Sequence, residues 1–214
     1  MQVKSFTFNP LGENTYIIYD ETGECAIIDA GCSDREECEE LSDFIKFNNL
    51  TPVLLLNTHC HIDHIAGNAF VKRTYNLDLQ VPEADVFLIK AAEVMAQAYG
   101  FYTLEYCAPD KFIKEGEQIK FGNTVLEIIA APGHSPGHLV FFNARESILI
   151  AGDVLFRGSF GRPDLPGGSL PTLYKSITQK LFILPEDTIV FCGHGPSTTI
   201  GHEKRTNPIL NYGE

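Results

Sequence analysis

Short apolar stretches separated by polar turns recur along the whole chain, and most of them are typical of β-strands. In the first half of the chain they cover residues 3–8, 15–19, 26–29 and 53–57. In the second half they cover residues 125–130, 139–142, 148–151 and 189–191. Both halves of the chain are therefore predicted to be rich in β-structure.

Three other segments have helical periodicity, with apolar residues three and four positions apart. The first follows Ser33 and Asp34, which can cap its N-terminus. The other two cover residues 83–99 and 172–182. Two β-rich halves that each end in helices predict a mixed α/β (α+β) fold, a four-layer αββα sandwich. Because the chain shows no repeat, low-complexity tract or linker, we expect a single domain over residues 1–214.

Composition and charge narrow the classes of function. With 214 residues, 44% of them hydrophobic, the chain can bury a sizeable core. A net charge of −12 argues against a nucleic-acid partner. The apolar runs are too short to cross a membrane, and residues 1–10 do not resemble a secretion signal, so we expect a cytoplasmic protein without a membrane partner. The six cysteines form no CxxC pair and are expected to be free thiols.

The densest chemistry lies between His59 and His64, where three histidines and an aspartate share one short segment. Imidazoles crowded in this way gain little from one another, but they and the carboxylate can all bind a divalent cation. In an extended segment His59 and His61 would share one face, and a turn at Asp63 would aim Asp63 and His64 at a second ion. The apolar run 53–56 precedes this segment, so we expect the ligands at the C-terminal end of a strand.

Three later residues repeat one pattern, in which an apolar strand and a glycine precede a potential ligand. They are His134, Asp153 and His194. Glycine lets the backbone turn sharply and approach an ion. His138 is expected to support or pack against the ligands, and His202 to lie on a C-terminal helix outside the site. Cys60 and Cys192 flank ligands, and we expect both to be small buried apolar residues.

These motifs, in this order, resemble those of the metallo-β-lactamase-fold hydrolases. Within that superfamily the chain is most similar to the glyoxalase II-related (hydroxyacylglutathione hydrolase-related) group, including its short single-domain members. The resemblance runs from about residue 14 to about residue 210. The motifs that carry it are Thr58-His59-Cys60-His61, Pro132-Gly133-His134-Ser135-Pro136-Gly137-His138, Gly152-Asp153-Val154-Leu155-Phe156, Gly161-Arg162-Pro163-Asp164 and Gly193-His194-Gly195-Pro196.

The resemblance implies a binuclear centre of two divalent metal ions, zinc first, with iron or manganese as alternatives. One ion would be held by His59, His61 and His134. The other would be held by Asp63, His64 and His194, with Asp153 and a hydroxide bridging the two ions. Asp63 and Asp153 would then be the catalytic carboxylates, and the metal-bridging hydroxide would attack the substrate.

The resemblance also implies hydrolysis of a small-molecule thioester such as a hydroxyacylglutathione. The chain ends soon after Leu210, so we expect it to lack the helical C-terminal domain that supplies basic glutathione contacts in full-length glyoxalase II. Gly161-Arg162-Pro163-Asp164 stands where that family has Gly-Lys-x-Tyr. Arg162 is a candidate contact for an anionic substrate or a member of a surface ion pair. The thiol carrier, the acyl group and the oligomeric state stay open.

Other interpretations of the same residues remain. Persulfide dioxygenases share the fold but use one iron, which His59, His134 and Asp153 would hold here. A lactonase, or another ester or amide hydrolase of this fold, is a further alternative. A secreted β-lactamase is disfavoured because a signal peptide is missing, and a nuclease is disfavoured by the net charge. A non-catalytic binding module would be expected to have lost a ligand, and none of the ligand positions is lost.

Overall fold

The computed structural model describes residues 1–213, which form two compact units. The first unit contains residues 1–113 and 120–125, and the second contains residues 114–119 and the chain from residue 126 onward. Each unit has a hydrophobic core of its own. Each unit carries some of the predicted ligand residues.

A six-stranded mixed sheet dominates the first unit. Its strands, in spatial order, are β1 (Gln2–Phe8), β2 (Glu13–Tyr19), β3 (Glu24–Ile28), β4 (Thr51–Leu56), β5 (Leu79–Pro82) and β6 (Lys111–Ile113). Strands β1 to β3 pair antiparallel, whereas β3 to β6 pair parallel. The C-terminal ends of β3 and β4 therefore lie side by side, and the backbone N–H of Asp29 donates to the carbonyl of Leu56 at 2.9 Å.

Helices connect the parallel strands of this sheet, as crossover connections require. They are α1 (Arg35–Phe47), α2 (Ile62–Ile65), α3 (Asn68–Tyr75) and α4 (Val86–Met95). The predicted cap of α1 is confirmed, because the carboxylate of Asp34 accepts a hydrogen bond from the backbone N–H of Glu37 at 2.9 Å. The helix predicted over 83–99 is α4 extended at each end by a 3₁₀ turn.

The second sheet also has six strands, and a short hairpin follows its fourth strand along the chain. In chain order the strands are β7 (Gln118–Phe121), β8 (Thr124–Ala130), β9 (Leu139–Asn143), β10 (Ile148–Gly152), the hairpin pair β11 (Leu155–Phe156) and β12 (Ser159–Phe160), β13 (Ile189–Cys192) and β14 (Thr198–Thr199). The spatial order in the sheet is β14-β13-β10-β9-β8-β7. Strands β8, β9 and β10 pair antiparallel, whereas β10 and β13 pair parallel.

Two helices complete the second unit, α5 (Leu170–Lys175) and α6 (Ile200–Thr206). The helix predicted over 172–182 starts earlier, because the hydroxyl of Ser169 caps α5, and continues as a π-helical segment, Ser176–Leu181. His202 lies on α6, as predicted. The predicted mixed α/β class is confirmed by the two sheets and their helices. Within residues 1–213, no helix is both long and apolar enough to cross a membrane.

Candidate metal centre

In the first unit, the loop after β4 and the start of α2 carry four of the predicted ligands. These are His59, His61, Asp63 and His64. The ring of His59 lies 4.8 Å from that of His61 and 4.2 Å from that of His64, measured between centroids. His61 is the N-cap of α2, so the turn expected at Asp63 is the first turn of a helix. Asp63 and His64 are consecutive residues of this helix, and both side chains are buried.

Asp29, which the sequence analysis did not assign to the site, supports this group from the end of β3. Its carboxylate accepts hydrogen bonds at 2.7 Å from both the backbone N–H and the hydroxyl of Thr58. The same carboxylate lies 3.1 Å from Nδ1 of His64. A carboxylate can only accept here, so Nδ1 of His64 carries the proton and Nε2 presents a lone pair. Asp29, His59 and His64 also offer ligand atoms within 4.8 Å of one another.

Two buried asparagines, linked to each other by a hydrogen bond, hold the backbone of α2 in place. Asn57 donates from its side-chain amide to the carbonyl of His64 at 2.7 Å. Asn68, at the start of α3, donates to the side-chain oxygen of Asn57 at 2.8 Å. The orientation of His64 is therefore held from both its ring and its main chain.

Glu13 is a further buried acidic residue of the first unit, close to the predicted ligand His64. One of its oxygens accepts a hydrogen bond from the Thr15 hydroxyl at 3.0 Å, and the other lies 3.8 Å from Nδ1 of His64. Burial raises the pKa of Glu13 well above its ordinary value; His64 opposes this rise, and the carboxylates of Asp29 and Asp63 add to it. Together with Asp29 and Asp63, this residue makes the first unit rich in buried carboxyl groups.

In the second unit, Asp153 lies between two of the predicted histidines. One carboxylate oxygen of Asp153, Oδ2, is 3.5 Å from Nε2 of His134 and also 3.5 Å from Nε2 of His194. Asp153 follows β10 and His194 follows β13, and the parallel pairing of these strands brings both residues to one edge of the sheet. The backbone N–H of Gly193 donates to the carbonyl of Gly152 at 2.7 Å and links the C-terminal ends of the two strands.

The loop that begins at Gly161 orients His134. Nδ1 of His134 lies 2.9 Å from the carbonyl oxygen of Arg162, so Nδ1 carries the proton and Nε2 points its lone pair towards Asp153. Gly161 allows this close approach, since a Cβ there would lie only 1.8 Å from the carbonyl oxygen of Asp153 and 3.0 Å from Nδ1 of His134. A main-chain carbonyl of this loop therefore supports the predicted ligand His134.

His138 contacts Asp153, one of the predicted ligands. It is fully buried, and its Nε2 accepts a hydrogen bond from the backbone N–H of Asp153 at 3.0 Å. The acceptor role of Nε2 puts the ring proton on Nδ1. His138 therefore helps to fix the backbone from which the Asp153 carboxylate projects.

The side chain of Arg162 forms a bidentate ion pair with Asp164, with bonds of 2.9 and 2.8 Å, and both side chains are exposed. Hydrogen bonding to Arg162 lowers the pKa of Asp164 to about 2. Of the two roles expected for Arg162, this geometry displays the surface ion pair. The role of Arg162 in binding a substrate stays a prediction.

The two cysteines that flank ligands are fully buried, in keeping with their prediction as small apolar residues. Burial raises the pKa of the Cys60 thiol well above its ordinary value and raises that of Cys192 to about 12. Both thiols therefore favour the protonated form, whereas a metal ligand would have to be a thiolate.

Asp29 was not assigned to the site from the sequence. It directly follows an apolar strand, as Asp153 does, but lacks the glycine that precedes Asp153. Thr58 and Asn57 were visible in the sequence, but their function depends on the pairing of β3 with β4, which joins residues far apart in the chain.

Comparisons with known proteins cover both units. The Metallo-beta-lactamase superfamily matches residues 8–194. The "Hydroxyacylglutathione hydrolase GloC" of Haemophilus influenzae is 37% identical over 213 residues, which cover 99% of both proteins.

Two solved structures are similar over nearly the whole chain. "BLEG-1 B3 metallo-beta-lactamase" has a TM-score of 0.89 and 33% identity, with 98% of this chain and 99% of that chain covered. "TTHA1623 in a di-iron-bound form" has a TM-score of 0.86 and 36% identity, with 97% and 100% covered. The two sheets, the strand-end histidines and aspartates, and these similarities together show that the chain belongs to the metallo-β-lactamase superfamily and has its fold.

Proposed function

We propose that this protein is a binuclear metallohydrolase that cleaves small-molecule thioesters such as hydroxyacylglutathione. The superfamily supports a metal-dependent enzyme, and the 37% identical relative carries the name of a hydroxyacylglutathione hydrolase. The seven ligand-type residues expected from the family motifs are all present. Beyond membership of the superfamily, we propose the number of metal ions and the class of substrate.

The observation that carries the binuclear proposal is the position of Asp153 between two imidazoles at equal distances of 3.5 Å. We assign one ion to His59, His61 and His134. We assign the other to Asp63, His64 and His194, with Asp153 shared by both. A carboxylate can serve both ions because it has two oxygens and offsets part of their charge.

The protonation of the imidazoles fits this assignment. The Arg162 carbonyl keeps the proton of His134 on Nδ1, and Asp29 keeps the proton of His64 on Nδ1, so each Nε2 can act as a ligand. The carboxylate of Asp29 also makes His64 a stronger electron donor. When bound, the ions supply a water of lowered pKa as the nucleophile and polarise the thioester carbonyl.

The identity of the metal is part of the proposal. Histidine and aspartate ligands suit zinc, iron and manganese, so the donor set alone does not select one of them. Zinc is our first candidate, and the di-iron form of a neighbour that is 36% identical makes iron the main competitor.

Two alternative activities use the same residues. A persulfide dioxygenase would need one iron on His59, His134 and Asp153 and would not need His194. Hydrolysis of a lactone or of another ester or amide would need the same two ions as the thioesterase. The β-lactamase name of a 33% identical neighbour places β-lactams on the list of substrates to test.

The experiment combines metal analysis with a panel of substrates. Protein purified without added metal would be analysed for bound elements and assayed with S-lactoylglutathione, a smaller-thiol lactoyl thioester, a lactone, a β-lactam and a persulfide with oxygen recording. We expect two metal ions per chain and thioester hydrolysis without oxygen uptake. One iron per chain with oxygen consumption would contradict the proposal and support the dioxygenase.

The variant His194→Gln separates the two metal stoichiometries. In a binuclear hydrolase it should lower metal content and reduce kcat/KM by roughly 10²–10³-fold, the scale of losing one group that stabilises the transition state. In a mononuclear dioxygenase it should leave the iron in place. His202→Gln is the matched control, because this histidine is exposed on α6 and should leave both metal content and activity unchanged.

A further inference from the structure

Asn9, in the turn between β1 and β2, reaches across the first unit to the main chain of α2. Its side-chain amide donates two hydrogen bonds at 3.0 Å, one to the carbonyl of Gly31 and one to the carbonyl of Asp63. Its side-chain oxygen accepts from the backbone N–H of Leu11 at 3.0 Å. Because the N–H of Leu11 can only donate and the two carbonyls can only accept, these contacts fix which end of the amide faces Asp63. A residue 54 positions away in the chain thus holds the backbone of a predicted ligand.

The hydrogen bond from Asn9 reaches the Asp63 carbonyl near the end of the short helix α2. In a longer α-helix the donor to this carbonyl would be the backbone N–H of Gly67, four residues further on. That N–H donates instead to the carbonyl of Ala30 at 2.7 Å, just beyond the end of α2. The amide of Asn9 therefore takes the place of a helical donor for Asp63.

Gly31 makes room for this arrangement. A Cβ at position 31 would lie 2.7 Å from the carbonyl oxygen of Asp63 and 1.9 Å from a carboxylate oxygen of Glu13. The backbone of the loop after β3 therefore lies directly against the Asp63 carbonyl, and only glycine fits there without displacing its neighbours. Asn9 binds both main chains at this close approach, so it ties the loop to the helix that bears Asp63 and His64.

The turn that carries Asn9 is itself anchored. The backbone N–H of Asn9 donates to Oε1 of Glu37 on α1 at 2.6 Å, and Oε2 of Glu37 accepts from the backbone N–H of Ser33 at 2.7 Å. The φ angle of Asn9 is +57°, in the left-handed region that asparagine tolerates better than most residues with a side chain. The position of the amide is thus set by the contacts and conformation of its own backbone.

We propose that Asn9 is a positioning residue of the metal centre, which holds the main chain of Asp63 so that its carboxylate can bind the ion assigned to Asp63 and His64. This role rests on the proposed binuclear centre and adds a residue that lies outside every motif quoted for the superfamily. Because the amide acts through the backbone of Asp63, its loss should weaken the ion that Asp63 binds and spare the ion assigned to His59 and His61.

The test compares the variants Asn9→Gly and Asn76→Gly. Glycine adopts the left-handed conformation without strain, so Asn9→Gly removes the amide and keeps the turn. Asn76 is an exposed asparagine of the first unit, at the C-terminal end of α3 with a φ of +53°, and is therefore the matched control. The full-length wild-type protein and both variants would be freed of metal with a chelator and titrated with Co²⁺. Chelator competition measures the affinities, and elemental analysis counts the bound ions.

We expect the wild-type protein and Asn76→Gly to bind two Co²⁺ ions with the same affinities. In Asn9→Gly, one ion should bind as tightly as in the wild-type protein and the other roughly 10–100-fold more weakly, the usual effect of losing a group that supports a metal ligand. A general loosening of the fold would weaken both ions instead. Equal weakening of both ions, the same loss in Asn76→Gly, or unchanged binding in Asn9→Gly would each overturn the proposal.

These outcomes are distinct from a failure of the proposed activity. A wild-type protein that binds two ions but cleaves no thioester would contradict the thioesterase and leave the metal-binding result for Asn9 intact. If the wild-type protein binds a single ion, weaker binding of that ion in Asn9→Gly supports the positioning role, and unchanged binding overturns it. If Asn9→Gly fails to fold, Asn9→Ser gives the same comparison, because serine lacks the amide while its hydroxyl can still accept from the N–H of Leu11.

Discussion

The parallel strand pair β3–β4 and the parallel pair β10–β13 both end in polar residues, but they support those residues with different chemistry. After β3 and β4, the carboxylate of Asp29 accepts hydrogen bonds from Thr58 and holds His64. In the second unit the supporting groups are neutral: the imidazole of His138 accepts from the backbone of Asp153, which follows β10, and the carbonyl of Arg162 accepts from His134, which follows β8.

This difference concerns electric charge. The first unit buries Glu13, Asp29 and Asp63 close together, which is unfavourable unless cations or hydrogen-bond donors compensate. The second unit places a single carboxylate, Asp153, between two histidines. We infer that the ligand set of the first unit depends on charge for its geometry, whereas that of the second depends on hydrogen-bond direction.

The largest expected effect comes from the carboxylate of the second unit. Asp153→Ala should lower the number of bound metal ions and reduce kcat/KM by roughly 10³-fold, because it removes the carboxylate that lies 3.5 Å from Nε2 of both His134 and His194 in the proposed bridging role. Metal analysis and thioester kinetics measure both effects. Ile62→Val, within the ligand helix but not a ligand, is the control and should keep both values. Normal metal content and activity in Asp153→Ala would remove the basis for a shared ligand.

Replacing one supporting residue in each unit compares the charged support of His64 with the neutral support of Asp153. Asp29→Asn removes the charge behind His64 and should weaken metal binding by roughly 10–100-fold. His138→Phe removes a neutral acceptor for the Asp153 N–H and should cost roughly fivefold, about 1 kcal/mol. Competition with a chelator measures both affinities. Equal losses in the two variants would mean that charge is not what distinguishes the two units.

Away from the ligands, Asp20 tests how the first unit holds a buried carboxylate. Burial raises the pKa of Asp20, but hydrogen bonds from Thr22, Thr124 and Asn123 outweigh it and lower the pKa to about 2. Since the folded state lowers the pKa, the stabilisation is complete above about pH 4, the unfolded value, and is lost as the pH falls towards 2. Asp20→Asn should therefore lower the free energy of unfolding by about 2 kcal/mol at pH 7.

Urea unfolding at several pH values measures this effect, and the difference between the wild-type protein and Asp20→Asn should shrink as the solution is acidified below pH 4. Asp43→Asn, at an exposed position of α1, should change little at any pH. A difference that stays constant down to about pH 2 would show that the donors around Asp20 do not favour its charged form.

The smallest expected effect is that of the Arg162 side chain. Because it is exposed and paired with Asp164, Arg162→Ala should raise KM for S-lactoylglutathione by roughly threefold to tenfold and leave kcat nearly unchanged. Replacing glutathione by a smaller thiol should then matter little. Tight, glutathione-dependent saturation that survives Arg162→Ala would show that another surface recognises the carrier.

The parts of the site that could be predicted were those encoded locally. The segment from His59 to His64 is dense enough to indicate a metal site from the sequence alone, and Asp153 and His194 end strands whose apolar residues are continuous. Asp29 could not be assigned in the same way. Its function arises from a parallel register that sets Ile28 beside Leu56, and such long-range pairings leave no periodic signal in the sequence.

The same reasoning explains the elements of the fold that were missed. Strands β5, β6 and β14 are four, three and two residues long, too short for alternation of apolar and polar residues to be recognised. They exist because neighbouring strands supply hydrogen-bond partners. The longer strands and α1 were predicted because their own side chains carry the pattern.

The bond between His134 and the loop after β12 has an evolutionary consequence. Because the acceptor is the main-chain carbonyl of Arg162, every amino acid at this position offers the same acceptor to the ligand. Mutation can therefore alter the chemical character of the loop surface without removing this support of His134. Gly161 lacks that freedom, since any side chain would collide with Asp153. The surface chemistry at position 162 can thus vary while position 161 keeps the close approach that supports His134.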